Sequence, residues 1–237
     1  MALQAQQLVT LACQIAKVSG FTVQAGQLLN LILSDLCQTY DFDLARVTYN
    51  NTFNSAWGNN SGPYILPSDY LRSLKDDVYY TISGVPYVMR YAAADEFDNL
   101  VTVAGLTGYP TIYTTDLSVT PPQMWVWPPP SGSFPVTFKY FRQMPDITTP
   151  ETSAVVPWFP NANYLLTRLA GELMNIADDE RAVAFLGKGE MGAQTLLKEY
   201  LLMKDDRESQ VKTVNLDPRR FGGTAFSTLP NTKAIGF

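Results

Sequence analysis

The sequence contains no histidine and only two cysteines in 237 residues. Without histidine, the Ser-His-Asp and Cys-His catalytic arrangements, the usual proton shuttle and most zinc sites cannot be built. Cys13 and Cys37 lie on separate apolar helical stretches, where buried free thiols are expected. Chemistry based on carboxylates or lysine alone remains open, but most hydrolase classes are excluded.

Charged residues are also scarce, at 16% of the chain. The 17 Lys and Arg against 22 Asp and Glu leave a net charge of -5, which excludes a generic nucleic-acid binder. No apolar run reaches the length of a membrane span, and the first residues lack the basic region of a secretory signal. We therefore expect no membrane partner and synthesis in a reducing cytoplasm.

The pattern of apolar residues divides the chain into four segments. Residues 1–40 show the spacing of two helices, and residues 41–147 are rich in the Tyr, Thr, Val, Pro and Gly of a small antiparallel β-domain, with a short helix over 92–100. Helical spacing returns over residues 148–208, and residues 209–237 have none. The predicted fold class is α+β: an α-helical bundle with an inserted β-domain and an extended C-terminal arm.

Local signals add detail to the first two segments. Thr22 is predicted to be the N-cap of the second helix, and Ser83-Gly84 predicts the turn of a β-hairpin. The first two helices carry only Lys17 and Asp35 as charged residues. Such neutral, glutamine-rich helices are expected to be covered on more than one face, either in a packed bundle or at a subunit interface.

The arm, residues 209–237, combines helix-breaking prolines and glycines with isolated apolar residues. A segment that cannot fold on itself but carries spaced anchors is expected to become ordered on another surface. From residue 210 onward, four basic residues against one acidic residue give +3, so the first 209 residues carry -8. This asymmetry favours docking of the arm on an acidic partner or on the next copy of the protein. The predicted partner-binding residues are Val211, Val214, Leu216, Arg219, Arg220, Phe221, Phe226, Leu229 and Phe237.

Two motifs suggest chemistry but have simpler structural explanations. The segment 187–192, GKGEMG, matches the G-x-G-x-x-G pattern of dinucleotide sites, which requires a preceding strand in a βαβ unit. The chain shows no alternation of strands and helices, so a glycine-rich joint between two helices is expected instead. Paired carboxylates, which could serve a glycosidase or a metal site, all lie at element boundaries where Asp caps helices and begins turns. They are Asp41/Asp43, Asp76/Asp77, Asp178/Asp179 and Asp205/Asp206. We predict no catalytic residue, metal or cofactor.

Trp125 and Trp127 alternate along one predicted strand, so both indoles share one face. That face is the core of the β-domain, a contact with a neighbouring subunit, or a ligand surface. The last possibility supports an alternative function, a carbohydrate-binding or host-recognition module of a virion.

Several stretches together resemble a known family. They are LPSDYLR (66–72), YPTIYTTD (109–116) and MWVWPPPSGSFPVTFKYFRQMPDI (124–147), the last with an apolar strand ending in Trp-Pro, a turn, and a strand ending in Tyr followed by a polar loop. With the helical C-terminal part and the extended tail, they resemble the head-to-tail adaptor proteins, also called connectors or tail-tube gatekeepers, of short-tailed bacteriophages.

The resemblance implies a virion structural protein without enzymatic activity. It implies a homo-oligomeric ring, commonly of 12 subunits, that docks beneath the portal protein and links it to a nozzle or tube protein of the tail. DNA would pass through the ring without specific binding, and the C-terminal arms would dock on the portal. The expected location is the virion neck between capsid and tail, after assembly in the host cytoplasm.

Overall fold

The computed structural model describes residues 3–54, 62–101, 107–187 and 192–203. These residues contain six α-helices and eight β-strands, which confirms the predicted α+β class. The chain divides into two compact units, Met1–Ala162 and Asn163–Phe237. In the first unit the elements are α1 (Ala5–Ala16), α2 (Thr22–Thr39), β1 (Arg46–Thr52), β2 (Tyr64–Ile65), β3 (Tyr70–Ile82), β4 (Val85–Val88), β5 (Arg90–Tyr91), α3 (Ala94–Leu100), β6 (Ile112–Asp116), β7 (Gln123–Trp127) and β8 (Pro135–Arg142).

The first two helices form where helical spacing predicts them, but their ends differ from the prediction. α1 begins with a capping box in which the Gln4 backbone N–H donates to Gln7 Oε1 at 3.0 Å. The N-cap of α2 is Phe21, and Thr22 is already its first helical residue, so the predicted cap at Thr22 is wrong. The N-cap of α2 therefore makes no side-chain hydrogen bond, because Phe21 has no polar side-chain atom to offer.

The β-domain consists of two four-stranded sheets, with strand orders β1-β8-β3-β4 and β2-β7-β6-β5. All pairings are antiparallel except that of β5 with β6. Ser83 and Gly84 form the predicted hairpin turn, both with positive φ, as a two-residue turn between twisted strands requires. The predicted short helix is α3. Alternate residues of both sheets fill one aromatic core, whose buried members include Phe53, Tyr64, Tyr80, Tyr113, Met124, Val126, Val136, Phe138 and Tyr140.

Arg72 joins the C-terminal end of α2 to the β-domain. Its guanidinium donates to the carbonyl oxygens of Gln38 at 3.0 Å and Tyr40 at 3.3 Å, and to the Asp41 carboxylate at 2.8 Å. The same group lies 5.5 Å from the centre of the Phe141 ring. The guanidinium thus gives hydrogen-bond donors to the carbonyls at the negative end of the helix dipole. At the same time it contacts the Phe141 ring of β8.

A β-bulge places Arg72 in this position. In the pairing of β3 with β8, Tyr70 is opposite Arg142 and Arg72 is opposite Phe141, so two steps along β3 match one step along β8. Bulges of this kind redirect side chains at sheet edges. The irregular register of β3 is therefore the reason that an arginine from a strand can reach the end of a helix.

The segment that leaves β8 runs back along α2. Asn30 holds it with a reciprocal pair of 3.0 Å hydrogen bonds to the backbone N–H and carbonyl of Ile147. One helical turn further along, Ser34 accepts a 3.1 Å hydrogen bond from the side-chain amide of Gln143. Since residues four apart lie on one face of a helix, a polar stripe of α2 fixes the path of the returning chain.

The returning segment then closes on the N-terminus of α1. The backbone N–H groups of Ala5 and Gln6 donate to the carbonyls of Val155 at 2.8 Å and Ser153 at 3.1 Å. The first N–H groups of a helix have no partner within the helix, so these carbonyls complete its N-terminal turn. The segment that follows β8 therefore holds both α1 and α2, the first through backbone groups and the second through Asn30 and Ser34.

In the second unit, α4 (Ala162–Ile176) is followed by the short helix α5 (Ala182–Leu186) and by α6 (Ala193–Met203). Asp178, in the left-handed conformation, and Asp179 form the predicted break after α4, where the Asp179 carboxylate accepts hydrogen bonds from Arg181. Gly171 of α4 lies against α5, since a Cβ atom added there would be 2.8 Å from Leu186 Cγ. The glycine thus permits close packing of the two helices.

Replacement of Arg72 by lysine tests the connection between α2 and the β-domain. Lysine keeps the charge but cannot bridge the helix carbonyls and Asp41 together, so Arg72→Lys is expected to lower the free energy of unfolding by about 1–2 kcal/mol. The control is Arg90→Lys, because Arg90 forms one exposed ion pair with Glu96 and its replacement should cost less than about 0.5 kcal/mol. Urea denaturation measures both. Equal losses in the two variants would contradict the role given to Arg72.

Replacement of Gly171 by alanine tests the packing of α5 on α4. Alanine is the better helix former by about 1 kcal/mol, but the added Cβ would overlap Leu186, so Gly171→Ala is expected to lower stability by about 1–2 kcal/mol overall. Gly20→Ala serves as the control, because no atom lies within 4 Å of the added Cβ there. Thermal unfolding followed by circular dichroism measures both variants, and a stabilised Gly171→Ala chain would show that the helices do not meet at this glycine.

Candidate functional site

The nine partner-binding residues predicted on the arm all lie outside the described residues. Their role therefore stays a prediction. The described residues offer three other surfaces that bear on function: the exposed faces of α1 and α2, a tyrosine patch on the β-domain, and a cleft beside α3.

The exposed faces of α1 and α2 carry almost no charge. Leu31 is 64% exposed near the middle of α2, and Leu11 is exposed on α1. Their exposed neighbours are mostly uncharged: Gln7, Thr10, Gln14, Gln24 and Gln27. Because solvent-facing helix surfaces usually carry charged residues, these neutral faces have the composition of a contact surface.

Two exposed tyrosines form a second surface on the β-domain. Tyr87 stacks on buried Tyr80 with ring centres 5.6 Å apart, and Tyr109 lies 5.7 Å from Phe134. Tyr80 and Phe134 are themselves in contact, so the four rings are continuous. A cluster that leaves two tyrosines about half exposed offers the flat, amphipathic area that protein interfaces favour.

Trp125 and Trp127 share one face of β7, as their alternation predicts, while Met124 and Val126 between them are buried in the core. The two indoles are half-buried and pack with Phe97 of α3 and with its surroundings. The face is thus neither the central core nor an open platform, because a short helix covers part of it.

A cleft of about 460 Å³ lies where α3 crosses this face, and we call it the α3 cleft. Phe97 and Trp125 supply aromatic surface, and Thr114 of the lining is opposite Trp125 on the neighbouring strand. Thr114 is 6% exposed, and its hydroxyl has no hydrogen-bond partner among the described residues. The full lining is Ala94, Phe97, Asp98, Val101, Thr114, Thr115, Asp116 and Trp125.

The α3 cleft is bordered by negative charge. Asp116 accepts hydrogen bonds from the Ser118 hydroxyl at 2.6 Å and from its backbone N–H at 2.9 Å, and these bonds lower the pKa of the Asp116 carboxyl. Asp98, from α3, is an exposed residue of the same lining. Glu96, on the same helix, is paired with Arg90 at 2.6 Å. The cleft therefore presents two carboxylates that no arginine or lysine in its lining neutralises.

Another cavity, of about 480 Å³, opens beside β3, β5 and β6. Its lining includes Tyr70, Tyr113, Arg72 and Arg90, and the Tyr113 hydroxyl lies 2.7 Å from Ser73 Oγ. Burial is the main cause that raises the pKa of Tyr70 to about 12, so this phenol stays protonated at neutral pH. Both arginines are held by carboxylates, Asp41 and Glu96, which leaves neither free to bind an anion.

The motifs weighed for catalysis have structural roles where they are described. The apolar run before the glycine motif is helix α5, not a strand, and α6 follows, so the glycines lie between two helices and the dinucleotide pattern is accidental. Asp41 binds Arg72, and Asp43 begins a 3-10 turn. Asp76 and Asp77 lie inside β3 and not at an element boundary, so the prediction is wrong for this pair. Asp205 and Asp206 lie outside the described residues.

Within residues 3–54, 62–101, 107–187 and 192–203, no three Cys, Asp or Glu residues are grouped so that they could hold a metal ion. None of the helices in that part of the chain is both long and apolar enough to cross a lipid bilayer.

Comparison with known proteins identifies the family. The sequence pattern of the family described as SU10 adaptor protein matches residues 4–216. The chain therefore belongs to this family of phage adaptor proteins, which confirms the resemblance at that level. No curated protein matches the chain. The matched range includes the predicted anchors Val211, Val214 and Leu216, and the others lie beyond it.

The sequence-based interpretation missed the α3 cleft and the role of Arg72. The sequence does indicate that Thr114 and Tyr113 face opposite sides of one strand. The pairing of Thr114 with Trp125 is visible only in the structure. The position of α3 over that face depends on chain contacts that local patterns do not contain.

Replacement of Thr114 by valine tests whether its hydroxyl is unpartnered. Valine has nearly the same shape, so removal of an unsatisfied buried hydroxyl is expected to raise the free energy of unfolding by up to about 1 kcal/mol. Half-buried Thr115 gives the control, with a change for Thr115→Val within about 0.5 kcal/mol. Urea denaturation distinguishes the cases, and a loss of more than 1 kcal/mol in Thr114→Val would show that the hydroxyl is bonded.

Proposed function

We propose that this member of the SU10 adaptor family is a virion structural protein that forms a ring beneath the portal of a short-tailed phage and links it to the tail. The observation that carries the proposal is the family match over residues 4–216. An adaptor must hold contacts on several sides at once, and three separate exposed surfaces on the described residues suit that requirement. The protein acts by binding, with no catalytic step.

The proposed arrangement assigns a role to each segment. Residues 1–40 and 148–208 form the helical bundle of the ring, residues 41–147 form the inserted β-domain, and residues 209–237 form the arm. The uncharged faces of α1 and α2 serve as lateral contacts between subunits, with Leu31 as the apolar anchor. Head-to-tail contacts of this kind close into a ring when the rotation between subunits permits it, and the family resemblance gives 12 copies.

Charge suits the passage of DNA through such a ring. The first 209 residues carry -8, and a negative body repels phosphate and does not retain it. The channel therefore needs no specific DNA contact, and the site of action is the neck between capsid and tail, after assembly in the host cytoplasm.

The arm makes assembly conditional. Its apolar residues are separated by prolines and glycines, so they gain burial only on the surface of the portal or of a neighbouring subunit. Ordering the arm lowers its conformational entropy, and only those contacts can offset this loss. The arm is therefore expected to become ordered only when the partner is present. We expect a monomer before the portal is encountered.

Removal of the arm tests this function. A chain that ends at residue 208 is expected to remain a folded monomer but to lose the portal-bound ring, because the anchoring contacts are gone. Analytical ultracentrifugation of the chain alone and mixed with its portal, followed by electron microscopy of the mixture, measures both properties.

The matched control keeps the length and charge of the arm. A full-length chain in which residues 209–237 are scrambled has the same +3 charge but a different order of apolar anchors, and it should also fail to form the ring. If the shortened chain forms a complete ring on the portal, the arm is not the assembly element.

A further inference from the structure

We propose that the α3 cleft is the receptor for the arm of a second copy of this chain, and that Arg219 and Arg220 are the side chains it binds. The inference rests on the proposed ring, and it assigns a site on the described residues to an arm that otherwise has only a predicted role. The two carboxylates, the half-buried indole and the unpartnered hydroxyl of the cleft together carry it.

The charges of the cleft select a cation. Asp98 and Asp116 border it, and hydrogen bonds from Ser118 lower the pKa of the Asp116 carboxyl, which favours its negatively charged form. α3 also carries Asp95 and Glu96, and among the described residues an arginine pairs with Glu96 but not with Asp95. A basic side chain would offset this excess of negative charge, whereas an anionic ligand would be repelled.

The shape and polarity of the cleft select arginine among cations. The exposed part of Trp125 offers a ring face on which a planar guanidinium can stack. Thr114 is 94% buried, since 6% of it is exposed, and its oxygen lacks a donor. A guanidinium has five N–H donors, enough for Thr114 and both carboxylates at once, whereas an ammonium is a point charge with three.

The arm contains a segment with matching chemistry. Residues 215–224 read NLDPRRFGGT, in which adjacent arginines are followed by Phe221. The arm has the charge opposite to that of the body, +3 against -8. Phe221 adds an apolar group for the Phe97 and Val101 wall of the cleft.

The arm is long enough to reach another subunit. The described chain ends at Met203, 16 residues before Arg219, and an extended chain of that length spans about 50 Å. This reach exceeds the roughly 30 Å diameter of a small domain. If each arm binds the cleft of the next subunit, every subunit is connected to the one before it and the one after it, as a closed ring requires.

A peptide titration tests the assignment. The receptor is the full chain with Arg219→Ala and Arg220→Ala, so that its own arm cannot compete, and the probe is a synthetic peptide of residues 215–224. Isothermal titration calorimetry is expected to show saturable binding of one peptide per chain. Asp98→Asn in the receptor should weaken binding at least about fivefold, and Trp125→Ala should weaken it further.

Matched controls separate specific binding from general attraction. Asp95→Asn removes a charge from the same helix outside the lining and should leave the affinity within about twofold. A peptide with Arg219→Lys and Arg220→Lys keeps its charge but should bind several-fold more weakly. Asp98 is exposed, so its variant keeps the test valid even if Trp125→Ala disturbs folding.

The same titration on the unaltered chain decides which copy supplies the arm. If the cleft serves a second copy, the unaltered monomer binds the peptide as tightly as the variant. If the arm of each chain instead fills the cleft of the same chain, it competes with the peptide at an effective concentration of about 1 mM. The apparent affinity for the peptide then falls at least about tenfold, and this result would overturn the assignment of the arm to a second copy.

Absence of peptide binding, equal binding by the Asp98→Asn receptor, or binding of methyl glucoside in place of the peptide would each overturn the proposal. Failure of the proposed function has a different signature: the cleft binds the peptide, but the chain forms no ring on the portal.

Discussion

The contact of Arg72 with the end of α2 is the constraint on which the first unit depends. A helix that ends beside a sheet exposes carbonyl groups that the sheet cannot satisfy, because the strands already pair their own donors. A guanidinium on a bulged strand solves this problem, since it reaches Gln38, Tyr40 and Asp41 while it rests against Phe141. Arg72 thus connects the C-terminal end of α2 to the β-domain, and the Cys37 thiol adds a 3.1 Å hydrogen bond to the Arg142 carbonyl.

The path of the chain after β8 follows from the same placement. Once α2 is fixed, its polar stripe lies where Asn30 and Ser34 can hold the returning segment, and Gly26 on the same stripe lets Pro150 approach, 3.4 Å from where a Cβ would lie. Leu31, which follows Asn30, lies on the exposed side of α2, where few residues are charged. One face of the helix thus builds the subunit, and the other remains available for a neighbour.

Local sequence predicted what depends on local physics and missed what depends on distant contacts. The helical spacing of α1 and α2, the Ser83-Gly84 hairpin and the alternation of Trp125 with buried neighbours all depend on residues close in sequence, and the structure confirms them. The predicted cap at Thr22 is wrong because the helix begins at Thr22 itself, one residue earlier than predicted, so that Phe21 occupies the N-cap position. The bulge at Arg72 requires β3 to pair with β8, about 70 residues further along the chain. The α3 cleft requires α3 to meet β6 and β7, and no local pattern encodes either contact.

The charge pattern has one further consequence for an adaptor that works through an arm. Attraction between a +3 arm and a -8 body is screened over about 8–10 Å at physiological salt, so it can guide the arm but cannot hold it. Holding requires desolvated contacts, and the described surface offers such a place where Thr114 is buried beside Trp125. Each such contact is weak when it stands alone. In the ring that we propose, every copy would give one arm and receive one, so the contacts would form together and the effective concentration of each arm would rise. Such a ring would not form from separate subunits a few at a time. It would become stable only when all subunits are bound.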